Sequence, residues 1–419
     1  MFVNNNTDMR KNLTCNQFII FTMMFVTMAF MISDYKVLCN KIGAICSMLV
    51  FLTVLLKNQS GLKLKSNIET NVCVAIFIFL LYFTLTSLPS FSISVYVEKI
   101  LYYLIEFVPL FLAMHIYRNP DRKLIKLLLV SFLVIWNIFC VISFVCCMQT
   151  PDLARLMAAE RSKYYNSAIG GGYPMAYGSA IFSVFVFEYL LKGNFKNKKT
   201  KSFAIFEIVL MLLVIYATHS FIVLISTILG FALSLMNKFI NGKYKFVIFV
   251  ATMAATVLLW LNIENILSYL VLSAKNEFWY TRWSEVYNYV VYGQESYHIG
   301  LRFYVYELSI ETIKTNTFLG SGYLFGNDYS LIFEYGVGNH STVLDTLAQF
   351  GLVGGLPFLY LCLYPYFFNK KHGFSASYLV TFYIMLFLNP IFSCYHMILI
   401  IFLVIPLIQY SFKNQVFDL

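Results

Sequence analysis

Charge is scarce in this chain. Only 12% of its 419 residues are Asp, Glu, Lys or Arg, while 60% are hydrophobic. A soluble domain would carry about twice that charge and sit nearer half apolar, which excludes a soluble globular protein. Several chemical signatures are missing as well. There is no C-x-x-C, and none of the nine cysteines falls in a long polar segment. Neither a disulfide framework nor a zinc site is therefore expected, and the cysteines read as small packing residues. No G-x-x-x-x-G-K-[ST] and no Asp-x-Asp pair occurs, which removes nucleotide-driven chemistry and metal-held sugar nucleotides. Alternating segments of about ten residues, the mark of a membrane β-barrel, do not occur. No cofactor and no metal is expected.

What the chain does have is long apolar runs and a mean hydropathy of +0.73. The runs have the ~17–25 residues that cross a hydrocarbon core. The expected fold is an all-α polytopic membrane protein, a single membrane domain over 1–419. Twelve spans are expected, near 17–33, 37–56, 71–88, 99–117, 124–148, 174–191, 203–217, 219–236, 246–263, 342–368, 374–391 and 394–412. The first run, Phe18 to Ile32, follows Arg10 and Lys11 and lacks a small-x-small cleavage site, so it reads as a retained helix. The net charge of +10 fits basic loops on the cytoplasmic side better than nucleic acid as a partner. With the N-terminus inside, twenty of the thirty Lys and Arg residues are cytoplasmic and twelve of the twenty acids lie outside. Both termini are then cytoplasmic. The cytoplasmic loops are too short to hold an ATPase or kinase domain.

Two outside segments are long, 149–173 and 264–341. The second is rich in Tyr, Trp, Phe and Leu, a composition that folds, here as short helices lying on the membrane surface. Within 301–317, Leu301, Val305, Leu308 and Thr312 share one face, and Glu307, Glu311 and Lys314 share another. That is the pattern of an amphipathic interfacial helix, and Arg302 opens it.

The candidate chemistry collects in these segments. Gly320 and Gly322 permit a tight turn and close backbone approach. His340 stands just before the tenth span. A His at a helix N-terminus is favoured in its neutral form, so it can act as an acceptor or base. The free amides of the same helix end would suit a phosphate. Ser341 or Thr342 can cap this helix, and Thr342-x-x-Asp345 resembles a capping box. In the earlier segment, Arg161 and Lys163 precede Gly170-Gly171-Gly172-Tyr173-Pro174, with proline suited to a first helical turn. Arg282, flanked by aromatics, reads as an anion ligand or as a snorkelling anchor. Glu106, Glu188 and Asp345 lie in or near spans, where acids are functional candidates. Gly351 and Gly355 read as close helix packing. Arginine forks match phosphate oxygens, so the physical expectation is an anionic lipid-linked substrate handled outside.

The stretch from Gly300 to Phe358 resembles the O-antigen ligase/polymerase superfamily, the Wzy and WaaL proteins. The likeness rests on Arg302, Gly320-Ser321-Gly322, Asn339-His340-Ser341 and Gly351-Leu352-Val353-Gly354, with Arg161 and Pro174 matching the earlier loop. Where the family has Ser-Arg at the start of a mid-chain helix, this chain has Thr218-His219-Ser220-Phe221. There His219 is the partial substitute. The resemblance implies a GT-C-like membrane glycosyltransferase of the bacterial inner membrane, metal-independent and inverting, with a periplasmic active site. Its donor would be a glycan on undecaprenyl pyrophosphate, and a polysaccharide chain-length regulator would be a partner beside membrane lipid. Arg302 and Arg161, with Arg282, would neutralise the leaving pyrophosphate. His340 would orient or deprotonate the acceptor hydroxyl. Gly320 and Gly322 would let the loop close on the sugar, with Asn339, Gly172 and Tyr173 beside the substrate. The His-Asn match is incomplete and the flanks are idiosyncratic, which favours a polymerase over the ligase that transfers glycan to lipid A-core. A lipid-linked oligosaccharide flippase or transporter is the rival of another class. It should place polar groups at the midplane within broken helices, whereas here they gather in one outside segment.

Overall fold

The computed structural model describes residues 67–87, 122–150, 172–193, 197–240, 260–274, 277–322, 336–372, 376–391 and 395–413, with isolated positions between 97 and 117, at 153–154, at 195 and between 247 and 258. Among these residues there are helices and no strands. The helices are α1 (Asn67–Ser87), α2 (Arg122–Gln149), α3 (Tyr173–Leu191), α4 (Lys198–Ala217), α5 (Phe221–Ile240), α6 (Ile263–Ser273), α7 (Glu277–Tyr292), α8 (Tyr297–Thr315), α9 (Thr342–His372), α10 (Ser377–Leu388), α11 (Tyr395–Leu399) and α12 (Ile405–Lys413), the last two joined by a π-turn over Ile400–Val404.

Six of these helical runs are long and apolar enough to cross a membrane: α2 from Ile125, α3, α4, α5 to Lys238, α9, and His396–Lys413. They coincide with six of the expected spans. α1 and α10 are shorter apolar helices at the positions of two more. The expected spans at 17–33 and 37–56 lie outside the described residues, and those at 99–117 and 246–263 are described only in part.

α3 is the centre of the bundle. Every residue from Met175 to Val186 is buried, and the helix packs on α4, α5, α10 and α11. A helix apolar on all sides belongs in a core. Its small residues, Ala176, Gly178, Ser179, Ala180 and Ser183, let neighbours approach closely. A Cβ on Gly178 would lie 2.7 Å from the Trp136 ring and 2.9 Å from Ile400. The surrounding helices keep apolar stripes on their outer sides. On α2 these are Val130, Val134, Ile138, Val141 and Val145, and on α4 Ile205, Val209, Leu213 and Tyr216. The three- and four-residue spacing makes each a single helical face, of the kind that suits lipid.

Buried acids in the bundle have partners. Asn137 Nδ2 of α2 donates to Glu207 Oε1 of α4 at 2.6 Å. Glu188, near the end of α3, sits 3.4 Å from Lys192 Nζ. Glu106 is buried beside Tyr103 and Cys362. Cys140, Cys147 and Cys362 are buried free thiols, as expected of packing residues.

α8 is a helix where the sequence places one, and Val305 and Thr312 of the expected face are buried, but the buried face is shifted from Leu301 toward Ser309. Ser309 is buried, while Leu301 is exposed. The reason is polar. The hydroxyls of Ser309 and Thr312 bond groups beneath the helix, and those bonds outweigh the apolar stripe drawn through Leu301 and Leu308.

Candidate functional site

The site forms where α8 lies across the mouth of α9. α8 starts at Ser296, whose Oγ accepts from the Ile299 amide, a side-chain N-cap. From there Arg302, Tyr306 and Ser309 follow at i, i+4 and i+7, on one helix face. That face meets the segment Gly336–Ser341, which runs into α9.

Glycines let this segment press against α8. Gly336 has φ +70, and its carbonyl accepts from the Thr312 hydroxyl. A Cβ on Gly338 would collide with the Val305 carbonyl oxygen. Its amide donates instead to Ser309 Oγ at 2.8 Å, and Ser309 Oγ donates to Asp345 Oδ1 at 2.8 Å. Asn339 then takes φ +53, a left-handed conformation that Asn tolerates better than most residues. This turn converges successive amides on one carboxylate. Asn339 N donates to Asp345 Oδ1 at 3.1 Å and Ser341 N to Oδ2 at 2.8 Å, with the His340 amide also directed at the group. The arrangement is a backbone nest, which binds anions, and its anion is Asp345 itself.

This corrects the expectation for the helix mouth. The N-cap is Ser341, whose Oγ accepts from Leu344 N at 3.2 Å, and Asp345 reaches back to the Ser341 amide from one position beyond the capping-box spacing. Thr342 is turned elsewhere. Its amide donates to Asn389 O, and its hydroxyl donates to Asn389 O and accepts from Ile391 N. The amides expected to receive a substrate phosphate are thus largely satisfied within the protein.

His340 is left with one face to offer. Its Nδ1 lies 3.0 Å from Gly338 O. A carbonyl has no proton to give, so Nδ1 carries the hydrogen and neutral His340 presents a bare Nε2. Among the described residues nothing bonds Nε2. Burial is the main cause that lowers the His340 pKa; the Gly338 carbonyl opposes it and the Arg302 charge adds to it. The ring is therefore neutral near pH 7.

The charge of Arg302 reaches it from α8. Its guanidinium lies against the Tyr306 phenol, and Tyr306 OH donates to Leu388 O at 3.0 Å. Arg302 Nη1 is buried and bonds no described residue. A cation with an unengaged donor and an imidazole with a bare nitrogen are thus near enough for the charge of one to act on the other.

Of the residues singled out from sequence, Arg302, Asn339 and His340 come together here. Gly320 and Gly322 do not. They belong to a turn held against a break in α9. Gly351 sits at φ +59 and ψ −162 inside that helix. In an unbroken helix Leu352 and Val353 would donate to Ala348 and Gln349. Here they donate to Thr317 O at 2.9 Å and Phe318 O at 3.1 Å, while Ala348 O and Gln349 O accept from Ser321 at 2.8 Å and Gly322 at 3.1 Å. Tyr82 OH of α1 donates to Leu319 O of the same strap. Gly354 follows against the Tyr82 ring, where a Cβ would not fit, so close packing explains that glycine while Gly351 makes the break.

The remaining candidates lie elsewhere. Arg161 is outside the described residues. Gly172, at φ +118, and Tyr173 start α3, with Pro174 in its first turn. Arg282 on α7 is held by Glu285 at 2.8 Å. Beside it Trp279 stacks on Tyr216 and meets the edge of His219, so the turn at Thr218–Ser220 helps seat α7. Tyr306, Ser309 and the hub role of Asp345 escaped the sequence reading. Their signal was Arg, Tyr and Ser at i, i+4, i+7 in one helix, thirty-one residues and more before His340.

No protein-family model matches this chain, and a search of curated proteins gives no match either.

Proposed function

We propose that the chain polymerises lipid-linked glycan repeat units at the outer face of a bacterial inner membrane. One observation supports the reading: at the mouth of α9 the Arg302 charge acts on the His340 ring, and an Arg302 donor and the His340 Nε2 are unengaged by described residues. Transfer of a glycan from a polyprenyl pyrophosphate would be helped by a base for the acceptor and a cation for the leaving group. The acceptor hydroxyl of a new repeat unit attacks C1, its proton passes to His340 Nε2, and the C1–O bond to pyrophosphate breaks with inversion. Charge grows on the leaving pyrophosphate, and Arg302 would stabilise it. Arg161 and Arg282 remain proposals for the same anion, with Gly172 and Tyr173 beside the glycan. The fold is read as GT-C-like, and a chain-length regulator as its partner.

The test is a gel of surface glycan from a host lacking the gene and then carrying it again. A ladder that collapses to one repeat on core and returns on complementation supports the polymerase. Loss of all glycan from core, with lipid-linked polymer accumulating, would identify a ligase and overturn the reading.

A further inference from the structure

We propose that Asp345 is the positioning residue for His340: its carboxylate fills the nest of amides from Asn339 to Ser341, Ser309 ties it to Gly338, and together they fix where the imidazole presents Nε2. The inference rests on the proposed reaction only for its catalytic consequence.

The geometry argues this from both ends of the loop. The His340 ring is oriented by its bond to Gly338 O. Gly338 is in turn fixed through its amide to Ser309 Oγ, and Ser309 to Asp345 Oδ1. On the other side of the ring's own backbone, Asn339 N and Ser341 N close on the two oxygens of the same carboxylate. Asp345 is buried, at 6% exposure, and Ser309 at 0%, so water does not compete for these bonds. A carboxylate suits this position because every bonded neighbour donates to it; an amide in its place would turn an N–H toward other N–H groups. The nest also explains how an anion-binding turn can face an anionic substrate without trapping it. The built-in carboxylate occupies the turn, and the substrate's charge is left to Arg302.

Among the described residues, the charged groups around His340 are Arg302 of α8, whose charge acts on the ring and which lies against the titratable Tyr306, and Asp345 of α9, which accepts from the His340 amide. The test reads His340 directly, without turnover. Purified full-length protein in nanodiscs is treated with diethyl pyrocarbonate across pH, and modification of His340 is followed by mass spectrometry. Wild type should label with a midpoint below the ordinary histidine value of about 6.5. In Asp345→Asn the loop loosens, the ring hydrates, and the midpoint should move up toward that value with faster labelling. Ser309→Ala should shift it the same way by less, and it serves if Asp345→Asn does not fold. Turnover should fall about 100-fold in Asp345→Asn, the scale of an ångström-sized misplacement, with KM nearly unchanged. If folded variants label like wild type, Asp345 does not position His340 and the proposal is overturned. If the midpoint shifts while His340→Gln still turns over normally, the positioning stands and the proposed reaction falls.

Discussion

Gly320 and Gly351 touch backbone to backbone. A Cβ on either would lie 2.5 Å from the amide nitrogen of the other, and both residues hold positive φ. No side chain fits between the strap and the broken helix, and Gly351 also needs a φ/ψ region almost confined to glycine. Gly320→Ala and Gly351→Ala should each destabilise the protein by about 3 kcal/mol, combining backbone strain with overpacking. A thermal melt in nanodiscs checks this. Gly322, with open space around its Cβ position, should be milder as Ala, since only its φ is strained. Equal melting of all three variants and wild type would contradict the strap.

Arg302→Lys tests the site's cation. Lys keeps the charge but loses the planar fork and its contact with Tyr306. Turnover on a lipid-linked repeat unit should fall about 100- to 1,000-fold, the range for removing one preorganised donor, with melting unchanged. An unaltered rate would remove Arg302 from the chemistry.

Acid should silence His340 in a defined window. Its pKa is lowered in the folded protein, mainly by burial. Turnover should therefore rise with pH through a midpoint below about 6.5 and be flat near pH 7. Stability carries the same sign. Below about pH 6.5 the unfolded chain takes up a proton on this residue that the folded protein refuses. Folding then loses stability as pH falls from the unfolded value through the folded one, and nothing is lost above it. Comparing the melts of His340→Gln and wild type between pH 7 and 5 should show a shallower decline in the variant.

Tyr306→Phe should cost about 1–2 kcal/mol, because Leu388 O loses its donor in a partly buried place. It should also lower turnover by freeing Arg302, whose guanidinium leans on the phenol. A melt and a rate measured on the same preparation separate the two effects.

Much of the helical layout was legible. Runs such as 124–148 and 174–191 are long and apolar, and Pro174 marks the start of α3 as expected. Arg302 and His340 were both singled out, and the Arg302 charge is near enough to act on the His340 ring. The break at Gly351 was not legible, because 342–368 reads as one unbroken apolar run and its glycines read equally well as packing positions. The face of α8 was judged only in part for a related reason: Val305 and Thr312 are buried as expected, but Ser309 is buried by specific hydrogen bonds, which hydrophobic periodicity does not register. The cap at Ser341 was open between two adjacent hydroxyl residues. Only Asn389, from a distant part of the chain, takes Thr342 out of contention.

The bend in α9 has a consequence for assembly. Taken alone, 342–372 would satisfy Leu352 and Val353 by continuing its own helix. The strap exchanges those two internal bonds for four external ones, so the bent form exists only once 317–322 has arrived. The bend that Gly351 permits is thus held from outside the helix, and whatever displaces 317–322 also releases the bend.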